Sequence, residues 1–178
     1  CGSASLADRP DVDAGDGQTT MRQYSLSAKP NSDWLRISVK REDGVGGTAP
    51  PGYVSNLLHD SLAVGATLEV APPCGEFFLH HDVENERPLV LIAGGIGITP
   101  LMSMLQTSLD KLPQREVAFI HGCQNEEVQA FKATVEELKA QNNNLNAHFR
   151  YLDPQKPLSS DGIGTSKLGQ ASVGCCFA

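Results

Sequence analysis

No stretch of this 178-residue chain approaches the ~20 consecutive apolar residues that a membrane-spanning helix needs. No charged-then-apolar stretch opens it, so no secretory signal is read and the cytosol is the expected compartment. There is no basic stripe: 14 Lys and Arg against 21 Asp and Glu leave a net charge of −7, which speaks against nucleic acid as a partner. The five cysteines, Cys1, Cys74, Cys123, Cys175 and Cys176, form no C-x-x-C pair and no Cys/His ligand spacing. Cys74 and Cys123 sit beside glycines and read as buried free thiols. His59, His80, His81, His121 and His148 are scattered, so no metal site is expected. What remains, 40% hydrophobic and 20% charged residues, is the make-up of a soluble globular chain.

The pattern of those residues changes midway. Residues 1–20, rich in Asp, Gly and Ser, read as a flexible N-terminal segment. From Met21 to about residue 84 the grammar is that of half-buried strands: "MRQYSLS", then "WLRISVKRE" with Leu35, Ile37 and Val39 on one face, and later "ATLEVAPPCGEFFL". Between them "YVSNLLHDSL" places Val54, Leu57, Leu58 and Leu62 at helical spacing. From residue 85 to 153 the pattern is β-α-β-α-β. "PLVLIA" is apolar at every position, as in a parallel strand covered on both faces. A helix from Pro100 to about Leu112 follows, then the strand "EVAFIH". A second helix, "NEEVQAFKATVEELKAQ", carries Val128, Phe131, Val135 and Leu138 on one face and Glu126 and Glu127 at its positive end. "AHFRYL" supplies the third strand, and residues 154–178 read as an irregular tail. The expected fold is β plus α/β: an incomplete antiparallel β-barrel followed by an incomplete parallel βαβαβ domain.

Two stretches carry chemistry. In "LVLIAGGIGITPLMSML" the glycines begin a dinucleotide fingerprint, but position 100 is Pro rather than the third Gly. No Lys-Ser/Thr follows, which excludes a P-loop, and no acid ends the second strand as in a Rossmann dehydrogenase. Gly94, Gly95 and Gly97 would let the backbone approach a ligand. Thr99 is the expected N-cap and Pro100 the expected first helical residue, with free N–H groups facing a pyrophosphate. The competing reading is a turn that needs small residues only for packing. In "RQYSLS", Arg22 offers a fixed charge for phosphate, Tyr24 a ring for stacking and Ser25 a hydroxyl. Strand alternation puts Arg22 and Tyr24 on one face and Ser25 on the other.

The order Arg-x-Tyr-Ser, Gly52-Tyr53-Val54-Ser55 and Gly-Gly-x-Gly-x-Thr-Pro resembles the ferredoxin–NADP reductase superfamily, in which a flavin-binding β-barrel precedes a nicotinamide-binding α/β domain. Within it, "RQYSLS", "ISVKRE", "VSNLLHD", "APPCGEFF" and "AGGIGITPLMSML" look closest to the reductase part of flavohemoproteins, the nitric oxide dioxygenases. The resemblance runs from about Met21 to Leu152. It implies that Arg22 holds the FAD pyrophosphate, with Gln23 in the same motif, that Tyr24 lies against the flavin and that Ser25 sits near its reactive nitrogen. Backbone amides of Val54 and Ser55 complete the pyrophosphate site, and Glu76, within "CGEFF", lies close to the cofactor. Gly95, Ile96, Gly97, Ile98, Thr99 and Pro100 would hold NAD(P)H. "HGCQNE" (121–126) would meet the adenosine end. No Arg or Lys occurs from His121 to Phe131 to meet a 2′-phosphate, so NADH is the expected coenzyme.

The implied activity is hydride transfer from nicotinamide to flavin and then electron delivery to haem, with no side chain acting as acid, base or nucleophile. A reductase serving an iron–sulfur oxygenase, a cytochrome-b5-reductase type and an inactive nucleotide-binding remnant are the alternatives. The chain departs from the family in three places. No globin domain precedes it, so haem is expected only in a longer parent. The opening barrel strands are missing, and residues 1–20 are not expected to supply them. The late Cys-Gly-Pro motif and aromatic C-terminus have no counterpart, and the tail after about Gly162 reads as unrelated sequence. The chain is therefore read as a fragment that binds FAD weakly and turns over poorly.

Overall fold

The computed structural model describes residues 3–8, 20–31, 33–46, 48–79, 87–153 and 175–176, and of 3–8 and 175–176 only the backbone. Most of the expected flexible segment, the boundary near residue 84 and residues 154–174 of the tail lie outside the described residues.

The first half is antiparallel. β1 (Ser3–Asp8) lies between β2 (Thr20–Ser25) and β4 (Glu69–Val70), while β3 (Trp34–Leu35) pairs with β8 (Cys175–Cys176). An isolated bridge joins Leu26 to Ile37. β1 corrects the expectation for residues 1–20. Ser, Ala and Asp are weak strand formers, and composition gave no signal; the strand is held by six backbone pairings to β2 and two to β4. β8 likewise supplies an element where the sequence showed none. Among the described residues these strands make an open sheet and a short pair, not a closed barrel.

The alternation of "WLRISVKRE" survives in burial rather than in hydrogen bonding. Ile37 and Val39 are buried and Leu35 partly so, yet the ladder covers only Trp34 and Leu35. They pack with Leu26 and with Val54 and Leu58 of α1 (Tyr53–Asp60), forming one core. Among the described residues, "ATLEVAPPCGEFFL" contributes one strand, the two-residue β4, and an isolated bridge residue at Cys74. Cys74, expected to be buried, is exposed there.

The second core is larger. β5 (Leu89–Gly94), β6 (Val117–Cys123) and β7 (Leu145–Tyr151) form a parallel sheet in the order β5-β6-β7. α2 (Ile98–Lys111) and α3 (Lys132–Gln141) connect them. Ile98, Met102 and Leu105 of α2 are fully buried against Leu91, Phe119 and Leu145. Each such side chain contributes ~1.5–3 kcal/mol. Two successive right-handed crossovers in one direction place both helices on one face. β5 is therefore not covered on both sides as its sequence suggested: Val90 is 57% and Ile92 69% exposed on the other face.

Both helix starts differ from expectation. α2 begins at Ile98 with Gly97 as its cap, so Thr99 and Pro100 are its second and third residues. Thr99 does not cap; its hydroxyl donates back to the Ile96 carbonyl at 3.2 Å. Pro100 still lies in the first turn, where a missing N–H costs no hydrogen bond. α3 begins at Lys132, seven residues later than "NEEVQAF" suggested. The Asn125 side chain accepts from the Val128 N–H at 3.2 Å, and Phe131 sits in the left-handed region at φ 59°. Together they close a turn that takes Val128, Glu126 and Glu127 out of the helix. No helix among the described residues is long and apolar enough to cross a membrane.

Candidate cofactor cleft

A cleft of about 510 Å³ opens where the end of β2, the 38–42 segment, the start of α1 and the turn before α2 converge. That volume is within the ~300–1,000 Å³ of small-molecule sites. On one wall stand Arg22, Gln23, Tyr24 and Ser25 together, so alternation does not send Ser25 elsewhere. Ser25 is the last residue of β2, where the strand gives way to the Leu26–Ile37 bridge. Tyr24 is half-buried, and burial raises its phenol pKa against the lowering effect of Arg22, which keeps it neutral at physiological pH. The Arg22 guanidinium is exposed and donates only to the adjacent Met21 carbonyl, at 2.8 Å, among its described contacts.

The floor is the start of α1. Its cap is Gly52, which has no side chain to bond the first-turn N–H groups, and no acidic residue occupies that turn. Those N–H groups and the positive end of the helix dipole are thus available to an anion. The segment is held firmly. Gly52 N–H donates to the Glu42 carbonyl at 2.8 Å, and Asn56 Nδ2 donates to the carbonyls of Glu42 and Gly52 at 2.9 and 2.8 Å. Ser55 Oγ donates to the Gly52 carbonyl at 3.1 Å and accepts from Glu42 N–H at 3.3 Å. A Cβ at position 52 would meet Ser55 Oγ at 2.6 Å, so this packing requires glycine.

The opposite wall is the 3-10 turn Gly95–Gly97 and the start of α2, with Ile96, Gly97, Thr99 and Pro100 lining the cleft. A Cβ built on Gly94, Gly95 or Gly97 meets nothing within 4 Å. The glycines are therefore not there for close packing against protein, and the alternative of a merely space-saving turn loses its basis. Gly95 also needs its freedom, with φ +48°.

Three expected residues do not line the cleft. Glu76 lies outside it and is exposed; Gly95 is exposed in the turn beside the lining residues Ile96 and Gly97. Ile98 does not line it either: its side chain is fully buried in the core, and its N–H is directed to the Gly95 and Ile96 carbonyls. Five lining residues were missed: Ser38, Lys40, Glu42, Gly52 and Tyr53. The alternation of "ISVKRE" held the signal for Ser38 and Lys40, which occupy the polar face opposite Ile37 and Val39. Lys40 Nζ bonds Glu42 Oε1 at 2.9 Å.

A buried histidine behind the turn was missed too. His121 is fully buried on β6, with Nε2 3.0 Å from the Gly95 carbonyl. Burial lowers its pKa, partly offset by that bond. At the far end of β6 the structure adds a cation just past the 121–131 window: Lys132 pairs with Glu126 and lies 3.9 Å from Glu136. The Glu126 bond raises the Lys132 pKa. Tyr151 OH donates to Gln129 Oε1 at 2.5 Å alongside, and Cys123 Sγ, its pKa raised by burial, donates to the Asn125 carbonyl at 3.3 Å.

Residues 91–168 match the oxidoreductase NAD-binding domain family. A flavohemoprotein of Rhizobium meliloti is 50% identical over 121 residues, covering 68% of this chain and 29% of the relative. The chain spans about a third of the length of the curated relatives it matches. Among solved structures, the flavohem-like FAD/NAD-binding domain of nitric oxide dioxygenase from Vibrio cholerae superposes with a TM-score of 0.74 at 31% identity, covering 89% of this chain and 66% of that one. A ferredoxin–NADP⁺ reductase from Plasmodium falciparum shares the fold, with a TM-score of 0.71 at 21% identity, 93% of this chain and 62% of that chain being covered.

Proposed function

We propose that this chain is an FAD-binding module of the ferredoxin–NADP reductase-like oxidoreductases, akin to the reductase part of flavohemoproteins, and that it accepts electrons from NAD(P)H. One observation carries this reading: a single cleft is lined both by Arg22–Ser25 with the start of α1 and by the Ile96–Pro100 turn. The first wall has an exposed guanidinium with no carboxylate partner among the described residues, a neutral half-buried phenol and an uncapped helix start, which suit a flavin with its pyrophosphate. The second has open glycines at a strand–helix turn on the carboxyl side of a parallel sheet, which suits a nicotinamide nucleotide. When bound, the flavin supplies hydride acceptance from nicotinamide and onward delivery of single electrons.

The chain's own residues bind, orient and shield. Arg22 and the N–H groups of Val54 and Ser55 hold phosphate, Tyr24 stacks, and Ile96 and Pro100 exclude water from the contact between the two ligands. No side chain moves a proton in this scheme. The downstream acceptor is a haem in a globin domain of a longer protein, a reading supported by the flavohemoprotein relatives, and the module works in the cytosol. NADH is the preferred donor, because no Arg or Lys occurs from His121 to Phe131 and the next cation along the chain, Lys132, is committed to Glu126.

The test is to refold or purify the chain with excess FAD, desalt it, and record the retained flavin absorption before and after adding NADH. Retained flavin that bleaches with NADH supports the proposal. No retained flavin sinks it. In parallel, Arg22→Ala should lower FAD retention by about tenfold, the worth of one charge-assisted phosphate contact.

A further inference from the structure

We propose that His121 is the positioning residue of the nucleotide turn, its Nε2–H holding the Gly95 carbonyl so that the Gly95–Gly97 turn keeps the shape that receives NAD(P)H. The inference rests on the nicotinamide site of the proposed function. A carbonyl can only accept, so at 3.0 Å the Nε2 atom must carry the proton. The neutral ring then leaves Nδ1 as a bare acceptor, and Nδ1 is indeed buried without a partner. A leucine of similar size would avoid that desolvation cost, so the ring's contribution at this position is the one bond it makes.

That bond reaches a place where local structure alone is weak. Gly95 has φ +48°, a Cβ built on it meets nothing within 4 Å, and its carbonyl also accepts from the Ile98 N–H of its own turn. His121 bonds the same carbonyl from the neighbouring strand, where it sits in register with Ala93, two residues before Gly95. With both acceptor positions of the carbonyl filled, peptide 95–96 is fixed against the sheet. The N–H groups at the start of a helical segment have no acceptor within it; fixing the peptide beside them fixes what a phosphate would meet. The ring itself does not line the cleft.

The test compares the FAD-loaded chain with His121→Gln, His121→Asn and His121→Leu. A Gln amide nitrogen reaches the Nε2 position, an Asn nitrogen only the Nδ1 position, and Leu donates nothing. Expected are NADH affinity near the unsubstituted value for Gln and a loss of about tenfold for Asn and Leu, with FAD retention unchanged in all. Amide hydrogen exchange at Ile96 and Gly97, measured without nucleotide, should quicken in Asn and Leu but not in Gln. Equal affinity and exchange across the three variants overturns the inference, as does a loss of FAD that tracks the loss of NADH. If the unsubstituted chain takes up FAD but no NADH, the nicotinamide part of the proposed function falls. The exchange rates then decide the role of His121 alone: faster in Leu but not in Gln supports it, and equal rates overturn it.

Discussion

Ser103 Oγ donates to the Ala28 carbonyl at 2.6 Å, a bond between residues 75 positions apart that is buried on both sides. It ties the outer face of α2 to the chain just beyond β2, and so sets the distance between the two walls of the cleft. Lys29 flanks it on the surface, with its N–H on Gln106 Oε1 at 3.1 Å and its ammonium on Asp110 at 3.0 Å. Both flanking contacts are exposed and contribute little. Ser103→Ala leaves the Ala28 carbonyl short of a buried donor and should cost ~1–3 kcal/mol of stability. Urea denaturation would measure it, and a loss of retained FAD in the folded variant would show that the bond also sets the cleft. An unchanged midpoint with full FAD retention would mean that the walls are placed by other contacts.

Gly95→Ala should be destabilising although space is open around it. The cost is conformational: a residue with a Cβ at φ +48° is disfavoured by ~1–2 kcal/mol. The new methyl would also stand in open space beside Ile96 and Gly97 of the cleft wall, and a strained residue 95 would reshape the turn that the proposal gives to the nucleotide. The expected outcome is a small drop in melting temperature with a larger loss of NADH affinity. A drop in stability without any change in affinity would place the nucleotide elsewhere.

The parts of the fold that could be read from sequence are those whose signal is local. Apolar runs at Leu89–Gly94 and Val117–Cys123 and the helical spacing of Val54 and Leu58 each reflect burial by their own neighbours, and each element formed. β1 and β8 were invisible because their strand character comes from pairing with distant chain rather than from their own side chains. The late start of α3 turns on an Asn125 side-chain bond and the left-handed Phe131, neither of which hydrophobic period reports. At the site, motif order located the Arg22–Ser25 strand end and the Gly95–Pro100 turn. Lys40 was legible as a residue of the polar face of "ISVKRE", but Glu42 in the cleft and His121 behind the turn are placed only by tertiary contacts, so no spacing rule could assign them.

Asp60 closes α1 and accepts from both Arg41 guanidinium nitrogens, Nη2 at 2.5 Å and Nη1 at 3.1 Å. The Arg41 hydrogen bond, more than its charge alone, lowers the Asp60 pKa below the ordinary carboxylate range. Because the folded pKa is depressed, the unfolded chain binds the proton first as acid is added. The stabilisation is fully present above the ordinary carboxylate range and is lost as the pH falls through the folded value. Asp60→Asn should lower the melting temperature slightly at neutral pH and make it fall less steeply between about pH 5 and pH 3. Parallel profiles for the two proteins would show that the pair contributes nothing measurable, the usual fate of an exposed ion pair.

Lys132 gives the sharpest handle on the coenzyme. It is held by Glu126, with Glu136 at 3.9 Å, beside the end of β6 where the adenosine half of a nucleotide is expected. While both carboxylates face it, Lys132 offers a 2′-phosphate no net positive charge, and NADPH is expected to bind worse than NADH. Glu126→Gln removes the nearer charge and frees the ammonium for phosphate. NADPH affinity should rise several-fold while NADH affinity changes little, since only NADPH carries the added anion, and added salt should erode the gain. Nucleotide titrations of flavin absorbance or tryptophan fluorescence would read both affinities. If Glu126→Gln shifts the two coenzymes equally, Lys132 does not face the ribose, and the preference must be set by another residue of the β6–α3 turn.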